Sequence, residues 1–440
     1  MNAVQLRRGF GPEAPSVHML SFEAARATVI EVMSSRTPAD SRSHAASTVD
    51  IAHHPASALG RILAEDVTAD RNYPPFDRSI RDGYALRAAD AAAPGARLRM
   101  IGESRAGVAF NGAVGPGECV RILTGAALPR GANSVIMLEQ TRAEGDDIIL
   151  SQPVRVGQHY VLAGAECRIG ETVLTRGSRL SFTEIAMAAE VGHAHLRVSR
   201  RPRVAIVSTG DELVSVDDAP GPFQIRNSNS ISLAAQVALA GGEPLIEGSA
   251  RDELDDLRAR IERGLEADML LLSGGVSVGR YDLVETVLHA LGAEIFFDAV
   301  AIRPGRPAVF GWCRGKPVFG LPGNPVSTMV TFELFAVPAI ELLSGFKPQP
   351  LPFFVAKLAH PINEKGNVAH FLPARVKWPA PAPGLEPFPA VVPVVEALLW
   401  EGSGDIGAVV RGNCFLLAHE SRLQLEAGEW VDVLPRRGVL

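Results

Sequence analysis

Apolar positions recur along the chain in several distinct rhythms. Residues 20–34, LSFEAARATVIEVMS, carry them at helical spacing behind Ser21, which predicts an amphipathic helix capped by that serine. Residues 35–57 are rich in Ser, Ala, Asp and His and read as a loop or loose insertion. ALGRILAEDVTAD at 58–70 starts a β-rich region. Between 73 and 150, short apolar runs such as RILTG and SVIML alternate with turns such as PGARL, VGPGE and LPRGAN, which predicts a small β domain. Residues 154–200 are turn-rich and then helical at SFTEIAMAAEVG, with Ser181 or Thr183 near the cap.

From 201 the pattern becomes strand, helix, strand. VAIVS (204–208), EPLIEGS, DMLLLSGG and AEIFFDAV read as buried strands. SNSISLAAQVALAGG, DELDDLRARIERGL and YDLVETVLHALG read as the helices between them. VFGLPGNPVSTMVTFELFAVPAIELLSG adds one more strand and a long helix. This alternation predicts a parallel, right-handed α/β sheet. KPQPLP (347–352) is a proline-rich linker, and the strand-like runs after it make 353–440 a small all-β domain. No internal repeat is visible.

Composition narrows the class. At 440 residues the chain has room for about three domains. With 47% hydrophobic and 21% charged residues it has material for real cores. A net charge of −6 argues against binding a nucleic-acid backbone, while leaving room for a local basic pocket. No stretch approaches the roughly 18 apolar residues of a membrane span, and no apolar run follows Arg7 and Arg8 as a secretory signal requires. Cys119, Cys167, Cys313 and Cys414 form no C-x-x-C pair, so reduced cytosolic thiols are expected rather than a disulfide framework or zinc site.

Candidate chemistry gathers at strand ends. In LLSGGVSVGRYD (271–282), Ser273, Gly274 and Gly275 separate a buried strand from a helix. Glycines permit close backbone approach and a helix N-terminus favours anions, so a phosphate cradle and a plain βα turn are equally open. LPGNP (321–325) repeats the layout, with Asn324 able to cap the helix and Pro325 suited to its first position. STGDELV (208–214) puts Asp211 and Glu212 at another strand end, and Asp282 lies just beyond the first loop. Carboxylates beside a phosphate cradle make electrostatic sense if Mg²⁺ joins them to phosphate oxygens; solvated loop charges are the bland reading. Arg303 and Arg306 bracket a Pro-Gly turn in AIRPGRPAVFG, suited to a small oxyanion or simply solvated.

In family order, these motifs resemble the molybdopterin molybdenumtransferases, the MoeA proteins and the gephyrin E domain. They are PPFDRSIRDGYALR, RILTGAALPRGANSVIMLE, RRPRVAIVSTGDELV, IRNSNS, LLSGGVSVGRYD, AIRPGRPAVFG, GLPGNPVS, and GSGDIGAVVRGNCF with LEAGEWVDV. The resemblance implies a multi-domain α/β plus β fold. An irregular, elongated linker domain would comprise 18–72 and 152–200, with a β domain inserted at 73–151. A MogA-like α/β molybdopterin-binding domain would span 201–346, and a β-barrel-like domain 353–440. It implies a cytoplasmic homodimer, with an active-site cleft involving both subunits, that inserts molybdate into adenylated molybdopterin and releases AMP with Mg²⁺. The partners implied are a MogA-type adenylyltransferase and client molybdoenzymes, not nucleic acid or membrane.

Carried over residue by residue, the resemblance makes Asp82, Thr124, Glu212 and Asp282 catalytic, with Asp282 near the metal. It assigns Asn227, Ser228, Ser273, Gly274, Gly275, Ser277, Gly323 and Asn324 to substrate binding. Arg303 and Arg306 would help hold molybdate where the family has lysines, together with Ser403. The chain departs from the family at Arg78, Ile80, Arg81, Asn133, Val161, Glu166 and Arg280. Arg78, Arg81, Glu166 and Arg280 favour the competing reading, a divergent paralogue that binds molybdopterin or a molybdoenzyme as a carrier or scaffold.

Overall fold

A computed structural model describes residues 19–37, 46–275, 283–379 and 392–440. They form two compact units. One takes the chain up to Ser47, Gly60–Ala64 and Val198–Leu440; the other takes Thr48–Leu59 and Glu65–Arg197.

The first unit is built on a six-stranded sheet in the order Glu243–Ala250, Arg203–Thr209, Met269–Ser273, Lys316–Leu321, Val309–Cys313, Glu294–Phe297. The first four strands are mutually parallel. The fully parallel sheet expected from the alternation is corrected here, because Val309–Cys313 runs antiparallel to both its neighbours. Its hairpin to Lys316–Leu321 turns on Arg314 and Gly315, both at positive φ, the backbone a tight two-residue hairpin needs. Successive residues of each central strand go to opposite faces. Val204, Ile206, Met269 and Leu271 join a core containing Phe22, Val29, Leu233 and Phe335 from the helices on that side. Ala205, Val207, Leu270 and Leu272 pack against Leu257, Ile261, Val284 and Leu288 on the other. Both faces are covered, which is why these strands read as unbroken apolar runs.

The helix Phe22–Arg36 starts at Ser21, whose hydroxyl accepts from the Ala24 N–H. The long helix after Asn324 is not continuous. It runs Pro325–Thr331, passes through a π-turn at Phe332–Ala336, and resumes as Val337–Leu343. Pro338 has no N–H for the Leu334 carbonyl, and the Arg26 guanidinium donates to that oxygen at 2.9 Å instead. This segment also amends the sequence reading of membrane-length stretches. Pro325–Leu343 has the length and mean hydropathy (1.6) of a span, but 83% of that apolar window is buried in the protein core.

A closed five-stranded barrel completes this unit: Ala369–Lys377, Val394–Ala397, Phe354–Leu358, Trp430–Pro435 and Cys414–Ala418, which returns to Ala369–Lys377. Closure removes the sheet edges. Ile302–Arg303 pairs with Ala369–His370, stitching the RPGRP segment to the barrel.

The second unit holds a six-stranded sheet in the order Ser134–Met137, Gly83–Leu86, Glu118–Ile122, Arg97–Ser104, Asp147–Leu150, Thr141–Glu144. Two-stranded ribbons pair Arg78–Ser79 with Tyr160–Val161 and Val67–Thr68 with Thr172–Leu174. The helix Phe182–Glu190 is capped by Ser181 in a reciprocal box with Glu184. Within the stretch expected to be loop, Ala46–Asp50 is a strand and Pro55–Ser57 a 3₁₀ turn; buried Val49 and Ile51 supply alternate apolar anchors that a polar composition masked.

Phe310 is fully buried and touches Phe296, Phe297 and Phe319 with ring centroids 5.3, 5.8 and 4.8 Å away. Phe310→Ala is expected to lower the stability of the first unit by about 3–5 kcal/mol, measured as a shift in its urea midpoint.

Candidate functional site

Parallel strands end together, and Thr209, Ala250, Ser273 and Leu321 close the same edge of the sheet. Ligands of open α/β sheets sit at that carboxyl edge. Here it opens into a cleft of about 690 Å³. Its wall carries Glu212, Asn227, Ser228, Ser273, Gly274, Gly275, Gly323 and Asn324, all expected from sequence. Gly404, next to Ser403, lines it from the barrel side, and Ser403 Oγ accepts from Asn324 Nδ2 at 2.8 Å.

The first glycine loop is built for close approach. Gly274 and Gly275 have φ of 92° and 66°, and a Cβ on Gly274 would lie 2.7 Å from the Thr209 carbonyl oxygen. A Cβ on Gly275 would meet Thr209 Oγ1 and Val284 Cγ2, each at 2.8 Å. Gly274 donates its N–H to the Leu321 carbonyl at 3.1 Å, tying the first loop to the strand that launches the second. The N–H groups of Gly275, Gly323 and Asn324 enter no hydrogen bond among the described residues and remain available to an anion.

Asn229 holds the two loops together. Its Nδ2 lies 3.0 Å from Ser273 Oγ, 2.8 Å from the Gly323 carbonyl and 3.4 Å from Thr328 Oγ1. Asn227, two residues earlier, is the helix N-cap: its Oδ1 accepts from the Ser230 N–H and its Nδ2 donates to Ser249 Oγ at 3.0 Å. Sequence reasoning named Asn227 and Ser228 but missed Asn229; the available signal was a carboxamide in the first turn of a helix that begins at the strand ends.

Asp252 was also missed. It lines the cleft two residues beyond Ala250, as Asp211 stands two beyond Thr209. The Asp252 N–H donates to Asp211 Oδ1 at 3.2 Å. Desolvation first, then the charges of Asp211 and Glu212, push the Asp252 carboxyl above the usual range. Like charges gathered beside free amides fit a hard cation shared with a phosphate, since Mg²⁺ takes one or two carboxylates and completes its shell with phosphate oxygens and water. No group of three metal-ligating side chains converges among the described residues, so these carboxylates would be part of a ligand set rather than all of it. Asp282 and Ser277 lie outside the described residues.

Arg303 and Arg306 do not line the cleft among the described residues. Both are exposed and form no ion pair there, although Pro307 beside them does line it. Gly305 between them has φ 108°, and a Cβ there would lie 2.6 Å from Thr331 Cγ2, so the turn packs tightly on the helix.

Asp82 and Thr124 meet within the second unit. Asp82 Oδ1 accepts from the Thr124 N–H at 2.6 Å and its hydroxyl at 2.8 Å. These bonds hold the Asp82 carboxyl below its ordinary range. Two of the departures also meet, for Arg78 Nη2 donates to Glu166 Oε1 at 2.7 Å. Asn133 takes a structural role, its Oδ1 accepting from the Ala88 N–H at 2.8 Å.

Known proteins place this architecture. Residues 20–192 match the MoeA N-terminal region (domains I and II), and 205–342 match a probable molybdopterin binding domain. A Bacillus subtilis protein named molybdopterin molybdenumtransferase is 37% identical over 69% of this chain and 76% of its own length. Its Staphylococcus aureus namesake is 32% identical over 86% and 89%. The crystal structure of a molybdopterin biosynthesis MoeA protein from Pyrococcus horikoshii superposes with a TM-score of 0.76 at 27% identity, covering 95% of this chain and all (100%) of that one.

Two predictions follow the geometry. Asn229→Asp keeps the shape of the clamp but presents a carboxylate to three oxygens, so a loss of about 1–3 kcal/mol is expected in chemical denaturation at pH 7. For Asp252 the folded carboxyl is raised, so its contribution is favourable when protonated and is lost as pH rises through the folded pKa. Asp252→Asn should therefore raise the melting temperature at pH 7, with the gain vanishing as pH falls into the ordinary carboxylate range.

Proposed function

This chain belongs to the molybdopterin molybdenumtransferase family, and from that premise we propose that it inserts molybdate into adenylated molybdopterin and releases AMP. The observation carrying this reading is the cleft itself: two glycine loops joined by Asn229, with unused amides at Gly275, Gly323 and Asn324. Such a wall suits the phosphates linking the pterin to the nucleotide. Glu212 and Asp252 would hold Mg²⁺, with Asp282 as a further ligand, and the ion would supply charge neutralisation at the bridging phosphates. Hydrogen bonds from Thr124 favour the ionised form of Asp82 and fix its direction, fitting it to orient a reacting group.

Arg303 and Arg306 are assigned to molybdate. Their guanidinium groups form no ion pair among the described residues, and Ile302–Arg303 is pinned to the barrel. The protein would act in the cytoplasm as a homodimer, receive its substrate from a MogA-type adenylyltransferase and pass its product to molybdoenzymes. All four cysteines are buried and free, in keeping with a reducing compartment. The carrier reading rested partly on Arg78 and Glu166; their mutual ion pair makes them a compensated pair.

The deciding assay incubates the chain with adenylated molybdopterin, molybdate and Mg²⁺. AMP release with molybdenum retained on the pterin is expected; tight binding without release would favour the carrier. Arg306→Ala should raise the molybdate needed for half-maximal insertion about ten- to a hundredfold, with pterin binding nearly unchanged. Lost pterin binding with unaltered molybdate dependence would reassign the arginines to the phosphates.

A further inference from the structure

The cleft's phosphate wall leaves the ring systems of its substrate unaccounted for. No Phe, Tyr or Trp is among the described residues that line it. A two-stranded parallel arm, Leu213–Val214 paired with Ile225–Arg226, borders it. Leu213, Ile225 and Arg226 of that arm line the cleft. Phe223 sits in the connection that joins the two strands, two residues before Ile225, and is 93% exposed.

This aromatic is held by a built turn. The Gln224 N–H donates to the Gly221 carbonyl, and the Gly221 N–H donates back to Gln224 Oε1, both at 3.1 Å. Ile225 N–H bonds the Glu212 carbonyl at 2.9 Å and Asn227 N–H the Val214 carbonyl at 2.9 Å. Arg226 crosses the arm, its Nε donating to the Val216 carbonyl at 3.1 Å. Leaving a phenyl ring and the neighbouring Ile225 in water forfeits burial energy, and a hydrogen-bonded turn spends conformational freedom to keep the ring there. An exposed aromatic ring on a connection whose next residues line an anion cradle is what a planar ring attached to a phosphate can stack on.

We propose that Phe223 is a further substrate-binding residue, stacking on a planar fused heteroaromatic ring of the ligand while the glycine loops hold its phosphates. This rests on the reading above that the cleft takes adenylated molybdopterin, which brings the adenine and, in the pterin, a planar pyrimidine ring.

The test titrates the full chain, wild type and the Phe223→Ala and Phe223→Trp variants, with AMP, with molybdopterin and with inorganic pyrophosphate by calorimetry. Phe223→Ala should weaken one ring-bearing probe about ten- to a hundredfold and leave pyrophosphate within twofold. Loss confined to AMP assigns the adenine; loss confined to molybdopterin assigns the pterin. Phe223→Trp should bind as wild type. Unchanged binding of both ring probes by Phe223→Ala overturns the proposal. So does an equal loss for pyrophosphate, an equal loss in Phe223→Trp, or a change of oligomeric mass, which would make the ring an interface between copies. Wild-type protein that binds none of the probes defeats the functional reading, and this one with it.

Discussion

The carboxamide of Asn229 decides whether the sheet edge is a site or merely an edge. Its Nδ2 reaches Ser273, Gly323 and Thr328 at once, so the loops after two adjacent strands cannot move independently. The Gly274 N–H adds a second tie through the Leu321 carbonyl. Each bond is modest alone, on the order of 1 kcal/mol, but those to Ser273 and Thr328 are partly buried, where an unmade partner is costly. The amides of Gly275, Gly323 and Asn324 are thereby fixed in place before any ligand arrives. Preorganised donors lose little freedom on binding, which makes a backbone cradle effective.

Charge around the cleft is organised by the same edge. Asp211 and Asp252 each follow the end of a parallel strand by two residues, and Glu212 joins them. Desolvation, and after it the charges of Asp211 and Glu212, raise the Asp252 carboxyl. Opposite them, the helix from Asn324 is anchored to Ser403 at its start, and its π-turn is held by Arg437, which grips Glu333 from the C-terminal segment at 2.8 Å. Barrel and sheet therefore share one helix, and the barrel's contribution to the cleft does not depend on loop packing alone.

Much of this was legible in the sequence for definite reasons. Strands covered on both faces write continuous apolar runs, and a loop that needs positive φ writes glycines, so LLSGG marked the edge; LPGNP marked it by its Asn-Pro helix start. The antiparallel strand Val309–Cys313 was hidden because its flanking prolines and arginines read as a turn. The barrel at 353–440 came from family resemblance; local pattern gave only strands, because closure needs Lys357 to pair in parallel with Val394, a register no local pattern encodes. Asp82 and Thr124 came from family resemblance; their contact depends on sheet register across 42 residues. Asn229 and Asp252 escaped because a single Asn or Asp carries no periodic signal, and only the folded edge shows what stands beside it. The Arg78–Glu166 pair was read as two unrelated departures, since residues 88 apart in sequence show their complementarity only in space.

The most direct test of the clamped cradle is a crystal structure of the full chain with AMP bound. A phosphate within hydrogen-bonding distance, about 3 Å, of the Gly275, Gly323 and Asn324 amides, with the Asn229 bonds intact, is the predicted result. A phosphate seated instead on Arg303 and Arg306, with the glycine loops empty, would contradict it.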